Sequence, residues 1–156
     1  MSQPKKQFFR REAWRIGCVA VLVALNVSAC GSPDGFGGVN DTQREIAAAR
    51  ATTPLPPGSS FSTIKLDSHG MYQAGAGTNM IQFQAVCAWF GYWASAIADQ
   101  NDDAEAKASE MAEEIKTWPT YVTSDTSLRS YWDSIIEQAR LGDPSGLRDM
   151  IQNNCQ

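Results

Sequence analysis

The chain has 156 residues, 43% of them apolar and 19% charged, with a formal net charge of -4. The first 29 residues hold five bases (Lys5, Lys6, Arg10, Arg11 and Arg15) against Glu12, so eight bases and sixteen acids remain beyond them. So acidic a remainder repels phosphate backbones and has no basic stripe with interleaved aromatics; this argues against nucleic acid as a partner, and the length leaves room for one domain.

In chain order, the N-terminal bases precede an apolar run from Ile16 to Ala29, the pattern of an export signal. That run is shorter than the ~20 apolar residues a transmembrane helix needs. It ends in Val27-Ser28-Ala29-Cys30, an aliphatic residue and two small ones before a cysteine, which resembles the lipobox of bacterial lipoproteins. The resemblance implies diacylglyceryl transfer to the Cys30 thiol and cleavage between Ala29 and Cys30. It further implies an exported protein held to the bacterial membrane through Cys30, with its domain on the extracytoplasmic side. Two or three acyl chains, at about 0.8 kcal/mol per buried methylene, anchor stably where one does not. Cys18 follows Arg15-Ile16-Gly17, a poor lipobox too close to the charges. Arg10-Arg11 fits a twin-arginine signal only loosely, because Glu12-Ala13-Trp14 follow, and the choice of translocon stays open.

From residue 30 to about residue 60 the composition is rich in Gly, Ser, Pro, Asp and Thr and poor in apolar residues, which predicts a flexible tether with at most a brief helix at Glu45 to Arg50. The folded domain is expected over 61 to 156. Phe61 to Leu66 reads as a short strand or extended arm, and Asp67 to Thr78 as a Gly-rich loop. Asn79 and Gln82 resemble a capping box for a helix carrying Phe83, Val86, Cys87, Phe90, Ala94 and Ile97 at three- and four-residue spacing. Trp89, Tyr92 and Trp93 widen its apolar face, so this helix is expected to be central. Asp102 and Glu105 start a second helix that Pro119 stops. Ser124 or Asp125 caps a third through Leu128, Trp132, Ile135 and Ile136. Gly142 then ends it, and Asp143-Pro144 opens a short terminal helix.

With Cys18 in the signal and Cys30 lipidated, Cys87 and Cys155 form an even pair in an oxidising compartment and are expected to be bonded. The fold class that follows is mainly α, a small bundle of three to four helices closed by one disulfide.

Residues with chemical potential are few. His69 is the only histidine, and its neighbours Asp67 and Ser68 are adjacent in sequence, which does not align a catalytic triad. Asp99, Asn101, Asp103 and Glu110 match positions 1, 3, 5 and 12 of a calcium loop, but Ala104 stands where the turn needs Gly and the segment reads as helix. Gly75-Ala76-Gly77-Thr78 precedes a helix and offers backbone amides to an anion, without the Lys of a phosphate loop. Trp89, Tyr92, Trp93, Trp118 and Tyr121 are candidates for a recognition platform, although helical spacing equally suits a core. No zinc set and no cofactor motif is present.

Cys87, Trp89, Tyr92-Trp93, Trp118-Pro119-Thr120-Tyr121 and the terminal Cys155 together resemble small exported actinobacterial proteins of uncharacterised function. The resemblance implies location and architecture and carries no activity. The expectation is a non-enzymatic cell-envelope lipoprotein that binds an envelope protein or glycan through an acidic, partly aromatic face. The alternatives are an accessory structural subunit, or a hydrolase built from Asp67, His69 and the acidic Asp99 to Glu105 segment.

Overall fold

The computed structural model describes residues 35–155. The signal segment, Cys18, the Ala29-Cys30 cleavage site and the lipidation residue lie outside the described residues. Within them the chain order is β1 (Phe36–Gly38), α1 (Val39–Thr52), β2 (Met71–Gln73), α2 (Ala76–Asp99), α3 (Asp102–Ile115), α4 (Pro119–Val122), α5 (Thr126–Arg140) and α6 (Ser145–Asn154).

Helix α2 is the axis on which α1, α3, α4, α5 and α6 all pack. Ile81, Ala85, Val86, Trp89, Phe90, Trp93, Ala94 and Ala96 are buried around most of its circumference, as a helix covered on several sides requires. It starts at Gly75, whose φ of 87° lies in the left-handed region that glycine adopts without steric cost. It ends at Gln100, also left-handed at φ 53°, whose amide donates to the Ala96 and Ile97 carbonyls. The Asn101 side chain accepts from the Ala104 amide at 3.1 Å and so caps α3. Asp125 does the same for α5 through the Leu128 amide at 2.9 Å. Asp143 accepts from the Ser145 amide at 2.9 Å, which places Pro144 at the cap and starts α6 one residue past it.

Trp132 of α5 gathers the aromatic core. Its ring centroid lies 6.4 Å from Phe83, 6.3 Å from Phe90 and 6.0 Å from Tyr121. Cys87 and Cys155 are bonded, with Cα atoms 5.6 Å apart across a sequence separation of 68, and tie the end of α6 to the middle of α2. The fold is therefore mainly helical and closed by this disulfide; α2, α3, α5 and α6 are the helices that the sequence predicts.

The stretch read as a tether is the principal difference. Its residues 36 to 52 form β1 and the 14-residue helix α1, so folded structure begins 25 residues before the expected boundary at 61. Helix α1 docks through small residues. A Cβ added to Gly77 would stand 2.6 Å from the Thr42 carbonyl oxygen, so only glycine permits this approach of α1 to α2. Phe61 to Leu66 forms no strand. It is an arm held at Ser62, whose carbonyl accepts from Arg50 at 2.6 Å and whose amide donates to the Gln84 side chain at 2.9 Å. The Gly-rich loop after it contains β2, which pairs antiparallel with β1 in the register Phe36 to Gln73, Gly37 to Tyr72 and Gly38 to Met71.

The capping box at Asn79 and Gln82 is not formed either. Helix α2 already starts at Ala76, and Gln82 is buried with its side-chain carbonyl accepting from the Thr120 amide at 3.0 Å.

Candidate functional site

Where the turn from β2 into α2 faces α4, the surface opens into a cleft of about 650 Å³. Gln73, Thr78, Asn79, Met80, Pro119 and Thr123 line it with amide, hydroxyl and apolar groups, and none of its described lining residues titrates. Two anchors set its shape. The Gln82 to Thr120 hydrogen bond fixes α4 against α2, and Thr120 lies in the chain between Pro119 and Thr123 on the cleft wall. On the other side Glu45 of α1 accepts from the Gly75 and Gly77 amides, 2.9 Å each, and so holds the first turn of α2.

That second contact corrects the anion-site expectation for Gly75 to Thr78. The positive end of α2 is occupied by the chain's own carboxylate, the favourable pairing of an acid with a helix N-terminus. The described lining residues of the cleft carry no charge of their own. The sequence reading did not single out Gln73, Met80 or Thr123. They belong to no motif, and only the folding of α4 onto α2 brings them together.

The histidine constellation does not assemble a catalytic unit. His69 has a side chain 94% exposed. The Ser68 hydroxyl lies 3.0 Å from His69 Nδ1, and the Asp67 carboxylate lies 4.0 Å from the same nitrogen. A triad needs the nucleophile on one ring nitrogen and the acid on the other. Asp67 instead closes a turn by accepting the His69 amide at 3.0 Å.

The calcium candidates are divided between the end of α2, the cap of α3 and the body of α3. Asp99 closes α2, Asn101 spends its side-chain oxygen on the Ala104 amide, and Asp103 and Glu110 lie along α3. Among the described residues no group of three or more His, Cys, Asp or Glu side chains is placed to hold a metal ion.

The recognition aromatics are largely core. Trp89, Trp93 and Trp118 are buried. The Trp89 indole N–H donates to the Pro54 carbonyl at 3.0 Å, which satisfies its one polar group, and its ring meets Tyr92 edge-on at 5.7 Å. Tyr121 and Tyr92 are half-buried against the same core. Among the described residues no tryptophan is exposed.

A charged chain missed by sequence reading runs along α3, α4 and α5. The Tyr121 hydroxyl donates to Asp133 at 2.9 and 3.0 Å, and Lys116 lies 3.3 Å from both Asp133 and Glu113. Arg140 then pairs with Glu113 and, at 2.7 Å, with Glu137. The Arg140 hydrogen bond, followed by that of Lys116, holds the Glu113 carboxyl below its ordinary value. Burial and the hydrogen bond to Asp133 push the Tyr121 phenol up. For Lys116 burial is the largest influence and opposes charge, but the bonds to Asp133 and Glu113 together outweigh it and raise its pKa.

Among the described residues no helix is long and apolar enough to cross a membrane. Compared with known proteins, the chain matches no protein-family model, no curated protein and no solved structure.

Proposed function

We propose that this chain is an exported lipoprotein, anchored through Cys30, whose helical domain is a non-enzymatic binding module for a neutral glycan strand of the cell envelope. The observation that carries the binding reading is the cleft between α2 and α4. It presents the Thr78 and Asn79 side chains for hydrogen bonding beside Met80 and Pro119, and offers no described side chain for proton transfer. Sugar hydroxyls and an apolar sugar face match that mixture of amides, hydroxyls and apolar surface. The address is supported by the Val27 to Cys30 residues and by the Cys87 to Cys155 disulfide, a bond that persists in exported compartments.

The address is tested by fractionating cells that express the full chain and its Cys30→Ser variant. The wild type is expected in the membrane fraction with the mass of its acyl chains, and the variant without them; equal membrane retention of both sinks the anchor. The module is tested by co-sedimentation with purified cell-wall glycan. Thr78→Val combined with Asn79→Ala is expected to release the protein while leaving its melting temperature intact. Retention unaffected by both substitutions removes the cleft from the reading.

A further inference from the structure

Among the described residues nothing covers the outward face of the two-stranded ribbon. In antiparallel pairing, residues directly opposite each other share a face. Phe36 and Gln73 therefore point the same way as Gly38 and Met71, and Tyr72 with Gly37 the other way. Burial follows this division: Tyr72 is half-buried, and its hydroxyl accepts from the Asp67 amide at 2.8 Å. Phe36 is 52% exposed and Met71 68% exposed. They are diagonal neighbours across the ribbon, close enough for long side chains to make one patch. Met71 faces Gly38, so no side chain opposite shields it.

The chain leading into the ribbon says what lies next to this patch. Cys30 is six residues before Phe36, and six residues of fully extended backbone reach at most about 20 Å. The interfacial headgroup layer on each side of a bilayer is itself roughly 5 to 8 Å deep. With lipid on Cys30, a domain beginning at residue 36 is held within about 20 Å of the membrane, because the long spacer that the composition suggested is folded into β1 and α1.

We infer that Phe36 and Met71 are a membrane contact: they enter the interfacial layer of the bilayer beside the lipidated cysteine and fix the orientation of the domain on the membrane. The inference rests on the proposed lipidation of Cys30. Phe and Met on one face are apolar groups suited to the boundary between headgroups and acyl chains, and an apolar contact adds to the hold of an acyl anchor. The domain beyond residue 29 carries sixteen acids against eight bases, so attraction to anionic lipid is not the driving force and salt does not weaken the contact.

The experiment uses the full chain, purified in its processed form and reconstituted into phosphatidylcholine and phosphatidylglycerol vesicles. Phe36→Cys, Met71→Cys and Leu141→Cys each supply a single thiol for an environment-sensitive fluorophore in the processed, lipidated chain, since Cys18 leaves with the signal, the Cys30 thiol carries the lipid and Cys87 and Cys155 are bonded. Leu141, 87% exposed, follows the end of α5, about 22 Å along that helix from its start beside α4. Intact-protein mass first establishes whether Cys30 carries lipid; a chain without lipid overturns the anchor and this inference together. In lipidated protein, labels at 36 and 71 are expected to shift to the blue and to be quenched by bromine-substituted acyl chains, at low and high salt alike, while the label at 141 is not. Lipidated protein whose labels at 36 and 71 report water, as at 141, overturns the membrane contact and leaves the anchor standing. Such a result would assign the patch to a protein partner.

Discussion

Gln82 and Thr120 meet in the protein interior, where the side-chain carbonyl of one accepts the backbone amide of the other at 3.0 Å across 38 residues of sequence. Both are buried, so the bond is shielded from water and α4 has a fixed position on α2. Gln82→Leu is expected to leave the Thr120 amide unsatisfied and to cost about 1 to 3 kcal/mol. Chemical denaturation measures it, and a loss well below that range would mean that α4 is held by its other contacts.

Gly77→Ala tests the docking of α1. Its new Cβ would meet the Thr42 carbonyl oxygen at 2.6 Å and the Glu45 Cβ at 2.8 Å. Overpacking of this kind costs roughly 1 to 3 kcal/mol. Early amide exchange in residues 39 to 52, with α3 and α5 still protected, is the expected signature. Uniform exchange across the domain would contradict it.

Helices α2, α3, α5 and α6 were legible because Val86 and Phe90, Ala108 and Ile115, Trp132 and Ile135, and Leu147 and Met150 repeat at helical spacing and all reach the core. Helix α1 was legible only as a brief helix at Glu45 to Arg50, since its buried positions are Thr42 and Ala49, which leave no stripe of large apolar residues. Its place is decided by the glycine opposite, a close approach between small groups that hydropathy does not register. The cleft was equally hidden, because Gln73 and Thr123 are joined by tertiary folding alone. The cysteine pair was readable by counting. Gln82 was misread because a Gln three residues after an Asn fits a capping box locally, while a buried amide 38 residues away claimed it.

Removing the disulfide with Cys87→Ser and Cys155→Ser together is expected to lower stability by about 4 kcal/mol, the chain entropy of a loop of this length. The sequence separation of 68 sets that figure. Thermal melting of the double variant against wild type measures it, and an unchanged midpoint would show that the reduced chain is already constrained.

The charged chain from Tyr121 to Glu137 predicts stability that declines at both ends of the pH scale. Glu113 is lowered from 4.5, so its contribution is present above that value and is lost as pH falls through the lower folded value. Lys116 and Tyr121 are raised from 10.5 and 10.0. Their contributions are present below those values and are lost as pH rises through the folded ones. The groups are partly exposed, so the effect is modest and weakens with salt. Tyr121→Phe is expected to flatten the alkaline decline of the melting temperature while leaving the acid limb in place. Identical alkaline profiles would refute the assignment.

His69→Ala is expected to change stability by no more than about 0.5 kcal/mol, as for exposed positions in general. A larger loss would mean that the Asp67 to Gly70 turn depends on the imidazole.

The disulfide has one more consequence, for cleavage of the finished protein. Peptide bonds between Cys87 and Cys155 lie inside a covalent ring, so a protease that cuts any one of them leaves both fragments joined. The connection from Thr53 to Gly70, outside that ring and without helix or strand, is where a single cut severs α1 from everything that follows. After such a cut β1 and α1 stay joined to a disulfide-closed body of five helices, α2 to α6, only through the ribbon pairing and the packing of α1 on α2.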